Sequence, residues 1–360
     1  MNKRFVLSVV ALLLCACLLA GCGSTAAPAA PAQEDPAPAA EAAPETEAAP
    51  ETEAAPETEA APEIDASLPV RVYTLNGTTG FGMAGLIAEA AEGKAALNYS
   101  FSVESDPSVV TAALVSGDCD LAALPTNAAS ALYNKTGGKV QVLALNTRGV
   151  LYVLTDGSVQ VESLEDLAGQ TVYAPAQNPS FILEALCRAR GVELTIDNSY
   201  AQPAELNAAV AAGEVSLAVL PEPMVTVACT QNKALTAALD LSAEWDAVME
   251  PGSLVQGCVA VRREFAEAHG AELACFLEEY GRSVALFEED AQAAAQKIEQ
   301  AGIFANAAVA AKAIPRCNIC FVTGEDMQRQ LSVFLQTMFE TAPQSIGGAV
   351  PGDDFYYIAP

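Results

Sequence analysis

Gly80-Phe81-Gly82-Met83-Ala84-Gly85 is a literal G-x-G-x-x-G, and it follows the apolar run Val70–Leu75. In a dinucleotide site the first glycine follows the strand at once and the pyrophosphate sits on the next helix start. Here Asn76–Thr79 intervene, and Gly82 and Gly85 fall inside a helical pattern. The motif therefore fails its context test, and no cofactor is expected. Cys317-Asn318-Ile319-Cys320 has C-x-x-C spacing. A zinc site would need two further ligands at comparable spacing, and the single histidine, His269, lies far off in "FAEAHGAEL". No metal is expected; a redox pair or a disulfide stays open as a minority reading. General acid–base or nucleophilic catalysis needs positioned partners, and a lone histidine in a helical context supplies none. The chain is expected not to be an enzyme.

The polar residues that could hold a ligand cluster at four helix starts, each just after a strand-like run. Thr78, Thr79, Gly80 and Phe81 follow Leu75. Thr126 and Asn127 follow "LAALP". Asn178, Ser180 and Phe181 follow "TVYAPAQ". Glu222 follows "LAVLP". In open α/β sheets ligands bind beyond the carboxyl ends of strands. Thr78 and Thr79 can cap a helix through their hydroxyls, and glycine at 77 and 80 permits close backbone approach. A plain turn with an N-cap fits the same residues. Phe81 and Phe181 either sandwich an apolar part of a ligand or pack in the core. Glu222 is either a charge favoured by the helix dipole or an acceptor for an amine, amidine or aminopyrimidine. None of the four loops carries Lys or Arg, which tilts the expected ligand toward a neutral or amine-bearing organic molecule; a sulfonate-like one stays possible. Gln256, before a later strand, is expected on the hinge side.

The elements that must position these residues alternate. Strands are expected at 70–75, 99–103, 120–124, 140–145, 151–154, 171–174, 194–199, 217–220 and 258–261, with helical patterns between most of them. Strand then helix, repeated, reads as α/β with largely parallel sheets. Beyond Arg263 the pattern is almost wholly helical. "DPSVVTAALVSGDCDLAALPTNAASALY" (106–133) is echoed by "QPAELNAAVAAGEVSLAVLPEPMVTVAC" (202–229), each reading helix, Gly, acid, strand, Leu-Pro, helix. Such an echo suggests two similar lobes.

Charge and cysteine content bound the partners. There are 17 basic and 45 acidic residues in 360, a formal charge of −28. Nucleic-acid binding needs a basic footprint, so no nucleic-acid partner is expected. Lys3 and Arg4 precede an apolar run that ends at Gly21-Cys22. This is the pattern of a secretory signal, and the run is short for a span of about 20 apolar residues. Residues 23–66 are mostly Ala, Pro, Glu and Thr, with 11 acidic residues and no Lys or Arg. Such a segment buries too little surface to offset chain entropy. It reads as an extended tether, reaching about 130 Å at roughly 3.1 Å per residue. Ten cysteines suggest a disulfide framework, but the seven beyond Cys22 are odd in number. Most sit in apolar runs, as small core residues do.

Leu19-Ala20-Gly21-Cys22 resembles a bacterial lipobox. "LNGTTGFGM" (75–83), "VVTAALVSGDCDLAALPTNAA" (109–129), "ESLEDLAGQTVYAP" (162–175) and "VSLAVLPEPMVT" (215–226) resemble the substrate-binding lipoproteins of ABC importers. The branch is the one handling nitrate, alkanesulfonates, taurine and thiamine-pyrimidine precursors. The resemblance implies a signal peptide over 1–21, a lipidated Cys22, and residence on the extracytoplasmic face of the cell membrane. It implies a type II periplasmic-binding-protein fold with two α/β lobes, each a mainly parallel sheet flanked by helices. Lobe one would span 67–157 and 250–360, including the helical C-terminal region, and lobe two 158–249. A small-molecule ligand would bind in the cleft and pass to ABC permease subunits. A sensing lipoprotein of the same fold is the alternative.

Overall fold

The computed structural model describes residues 63–359. The expected signal segment, Cys22 and most of the expected tether lie outside these residues. Eleven strands form two sheets. The first sheet contains β1 (Pro69–Leu75), β2 (Asn98–Glu104), β3 (Leu121–Pro125) and β4 (Val140–Arg148). The second contains β5 (Leu151–Thr155), β6 (Thr171–Tyr173), β7 (Thr195–Asp197), β8 (Leu217–Pro221) and β9 (Thr236–Asp240). The chain then returns to the first sheet with β10 (Val255–Arg262) and β11 (Ile319–Val322). The strand orders are β11-β4-β10-β3-β1-β2 and β7-β6-β8-β5-β9.

Helices cover the sheets. Those of the first part are α1 (Thr78–Phe81), α2 (Ala84–Ala91), α3 (Pro107–Ser116) and α4 (Thr126–Thr136). The second sheet carries α5 (Asn178–Arg190), α6 (Pro203–Ala212), α7 (Met224–Gln231) and α8 (Leu241–Asp246). The C-terminal run is α9 (Arg263–Ala268), α10 (Gly270–Glu289), α11 (Ala291–Gln300), α12 (Ala307–Ala313) and α13 (Gly324–Thr341).

The two-sheet α/β architecture is as expected, but each sheet is mixed rather than mainly parallel. β1, β2 and β3 run parallel, as do β6, β7 and β8. Antiparallel pairing enters with the strands next to the crossings: β10 against β3 and β4, and β5 against β8 and β9. A chain that arrives from the other sheet enters without a βα crossover, and so can run either way. The outgoing crossing falls at Gly149-Val150, so Leu151–Thr155, drawn in the first lobe from sequence, pairs in the second sheet. A Cβ on Gly149 would lie 2.3 Å from Ser242 Oγ and 2.5 Å from Leu254 Cδ2. Only glycine lets the outgoing crossing lie against the returning one.

The sequence echo is a structural repeat. Both α3 and α6 begin with Pro at the first turn and end on a glycine in the left-handed region, Gly117 at φ 83° and Gly213 at φ 78°. Asp106 caps Ser108 N, whereas Gln202 and Glu205 form a capping box, so each helix start is fixed by its own side chains. β3 (LAALP) and β8 (LAVLP) are buried up to the final proline. Continuous burial is what helices on both faces of a sheet require. The long α13 buries Leu331, Phe334, Leu335 and Met338. It touches α4, β4 and β10 on one side and α5 on the other. Trp245 of α8 meets Phe334 at 6.0 Å between ring centroids.

Candidate functional site

Four strand ends build a cavity of about 890 Å³ between the two sheets. Ser105 and Asp106 follow β2, Asn127 follows β3, Gln177 and Asn178 follow β6, and Gln202 follows β7. All four strands are parallel members of their sheets, and the cavity lies beyond their carboxyl ends, where α/β sheets place ligands. Every loop named here leads into a helix: α3, α4, α5 and α6. The lining carries few charges: about half of it is Pro, Ala and Leu, and most of the rest is Ser, Thr, Asn and Gln. Asp106 spends an oxygen on Ser108 N at 2.8 Å, and Lys135 is a basic side chain at the rim.

Of the eleven residues singled out in the sequence, the cavity wall holds Asn127 and Asn178. They join the two sheets: Asn178 Nδ2 donates to Asn127 Oδ1 at 2.9 Å, and Asn127 Nδ2 donates to Ser345 O at 3.4 Å. Asn178 Oδ1 is buried and has no partner among the described residues. The cavity takes the β2 and β7 loops where the sequence pointed to those after β1 and β8.

The loop after β1 is occupied in other ways. Thr78 and Thr79 do not cap α1, whose first residue follows Gly77 with no side-chain cap. Instead their carbonyls accept from Thr147 Oγ1 at 3.3 Å and Asn146 Nδ2 at 3.1 Å. Phe81 is wholly buried, 6.5 Å from Phe287 and 6.3 Å from Phe304 between centroids. Phe181 packs half-buried against a different cluster, so the two rings form no sandwich. The glycines of the G-x-G-x-x-G are a packing seam. A Cβ on Gly80 would lie 1.9 Å from Leu75 O, on Gly82 2.5 Å from Tyr280 OH, and on Gly85 2.5 Å from Ser283 Oγ. Ser283 Oγ donates to Gly82 O at 2.5 Å and accepts from Leu86 N at 3.0 Å, riveting α10 onto the start of α2.

Thr126 Oγ1 donates to Val255 O at 2.8 Å, and Gln256 Oε1 accepts from Val150 N at 2.8 Å. Both therefore sit at the paired crossings. Ser180 Oγ donates to Pro175 O at 2.8 Å and accepts from Asn198 Nδ2 at 2.6 Å, closing its own loop.

Glu222 differs most from its sequence reading. Its side chain is fully buried and accepts from Arg316 Nε at 2.6 Å. Thr226 N and Thr226 Oγ1 complete its shell at 3.1 and 3.0 Å. Arg316 Nη2 donates to Thr226 Oγ1 at 2.9 Å, and the guanidinium stands 5.7 Å over the Tyr152 ring. The four loops lack a cation, but the fold brings one from 94 residues away. No local pattern around "AIPRCNIC" signals that meeting.

All seven cysteines from Cys119 onward carry free thiols, Cys317 and Cys320 included. Burial pushes the Cys320 thiol up to about 12 and raises Cys317 well above the ordinary thiol value. Neither has the low-pKa thiolate that redox exchange needs. His269 lies against Phe265, 4.6 Å between rings, and does not line the cavity. No group of acids, histidines and cysteines among the described residues could hold a metal ion, and no described helix is long and apolar enough to cross a membrane.

This is the two-lobed fold of periplasmic solute-binding proteins. No protein-family model matches the chain, and no curated protein matches it either. Among solved structures, an ABC transporter protein from Parabacteroides distasonis is similar with a TM-score of 0.70 at 21% identity, over 81% of this chain and 99% of that one. The periplasmic aliphatic sulphonate binding protein of Escherichia coli gives 0.63 at 16%, over 81% and 92%. The alkanesulfonate-binding protein of Xanthomonas axonopodis pv. citri, bound to MOPS, gives 0.58 at 14%, over 81% and 96%. At these identities the likeness establishes the fold.

Proposed function

We propose that this chain is an extracytoplasmic solute-binding lipoprotein that captures a small organic molecule between its two sheets and delivers it to an ABC permease. The observation that carries the reading is the cavity at the carboxyl ends of parallel strands from both sheets, with Asn127 and Asn178 joined across it. The signal over 1–21 and a lipidated Cys22 would hold it at the outer face of the membrane. A non-enzymatic role is supported by the binding proteins that share its fold.

The ligand belongs to the neutral polar or sulfonate-like organic molecules. The amine-bearing alternative drew on Glu222 as well as on the lack of Lys and Arg in the loops, and Arg316 already neutralises that carboxylate. Asn and Gln side chains offer both donors and acceptors, which suits a ligand without a strong cationic group.

Thermal shift of the purified full chain against alkyl and aryl sulfonates, taurine and neutral polar solutes tests this. A true ligand at 100 times its Kd adds about 2.7 kcal/mol of stability. Replacing Asn127 and Asn178 together by Ala should weaken its binding about tenfold or more, on the order of 1.4 kcal/mol, with circular dichroism unchanged. A flat panel, with native mass spectrometry finding no co-purified molecule, would overturn the proposal.

A further inference from the structure

We infer that Ile314–Asn318 is a strap fastened across the two sheets by Arg316, and that the Arg316–Glu222 pair holds the halves together. The strap belongs to the first sheet at both ends. Before it, α12 packs on α11, which packs on α2, and α12 also meets α7 of the second sheet. After it, β11 pairs with β4. Cys317, in its middle, is buried in the same cluster as Phe81 and Ala84. Its polar groups nonetheless reach the second sheet. Arg316 meets Glu222 and Thr226, and Tyr152 OH donates to Arg316 O at 3.2 Å. Beside it, Asn318 Nδ2 donates to Gly149 O at 2.5 Å and Arg148 N donates to Asn318 O at 3.0 Å, at the outgoing crossing.

The repeat indicates what Glu222 is for. Position 222 corresponds to Thr126 and position 226 to Ser130. In the first copy Thr126 and Ser130 bond the carbonyls of Val255 and Ile346. That helix start folds with no charge. The second copy places a carboxylate at the same point, and it is wholly buried against the strap's guanidinium. A buried carboxylate left without its cation is strongly unfavourable, so separating the sheets here strips Glu222 of its counter-charge. Arg316 is 40% exposed, so the contact lies at a rim that water can reach, and it can break and re-form. Such a pair makes a two-state element out of a hinge.

This deepens the solute-binding reading but can be measured without ligand. Spin labels introduced as non-natural amino acids at the exposed positions Glu92 and Glu214 would report the distance between the halves of the full chain by pulsed electron paramagnetic resonance. The unaltered protein should give one narrow distribution. Arg316→Gln should shift it to longer distance and broaden it, and the charge-reversed pair Glu222→Arg with Arg316→Glu should bring it back. Arg316→Lys, which keeps the charge but loses the two-pronged contact, should fall between. If Arg316→Gln fails to fold by circular dichroism, the lysine variant decides alone. A distribution that matches the unaltered protein in the folded variants overturns the strap and leaves the solute panel unaffected.

Discussion

Asp120 holds its charge between two guanidinium groups. Arg71 Nη2 reaches it at 2.7 Å and Arg262 Nη2 at 2.6 Å, and Arg71 Nε and N add two further donors at 2.8 and 3.0 Å. Burial alone would raise this carboxyl. The hydrogen bonds from Arg71 and Arg262 outweigh it and hold the group below its ordinary value. A carboxyl depressed in the folded state stabilises the fold fully above its unfolded pKa, about 4, and loses that contribution as pH falls through the folded value. Asp120→Asn should therefore lower stability at pH 7 by about 2 kcal/mol, the range for hydrogen bonds to charged groups. Urea titrations repeated at decreasing pH should see the difference from the unaltered protein shrink below about pH 4. A gap that stays constant into acid would mean that packing, not charge, is lost. Arg316 belongs to the same class of residue and was equally invisible in the sequence, since an ion pair across a cleft leaves no spacing to read.

Elements with complete punctuation were legible; those with none were not. α3 and α6 each carry Pro at the start and Gly at the stop, and both fall at the residues the pattern gave. β9 (TAALD) escaped because it is Ala-rich and short of β-branched residues; it is a strand because β5 offers it an edge. β11 (ICFV) escaped inside a helical region, since its four residues take their strand form from β4. The helical pattern expected beyond Arg263 breaks at His269, where φ is −134°. The glycine motif shows how an element can carry a site's signature for a packing reason. Gly85→Ala would drive a methyl group to 2.5 Å from Ser283 Oγ, part of the rivet between α2 and α10. Overpacking of this kind costs about 1–3 kcal/mol. Chemical denaturation should show that loss, and pairing the change with Ser283→Ala should recover part of it. A neutral Gly85→Ala would mean that the two helices have room to part.

At the scale of the whole molecule, the cavity and the point where the chain enters lie at opposite ends of the strands of the first sheet. β1 starts at Pro69, and Asp65 N donates to Glu272 Oε1 at 2.8 Å beside that start. β2 and β3 run parallel to β1 and deliver the cavity loops at their far ends. A protein held through Cys22, as proposed, would thus be gripped on the side away from its ligand. On that proposal it would have to turn to present the ligand to a permease in the same membrane, and the Ala-, Pro-, Glu- and Thr-rich residues before 63 would supply the length for turning. Binding and delivery then separate. Deleting the "AAPETE" repeats over 42–59 should leave ligand Kd unchanged in calorimetry, because no cavity residue is touched. Uptake by cells carrying the shortened protein should fall several-fold at equal protein level. Equal uptake would mean that the domain reaches its permease without the spacer, and that the length before residue 63 serves some purpose other than delivery.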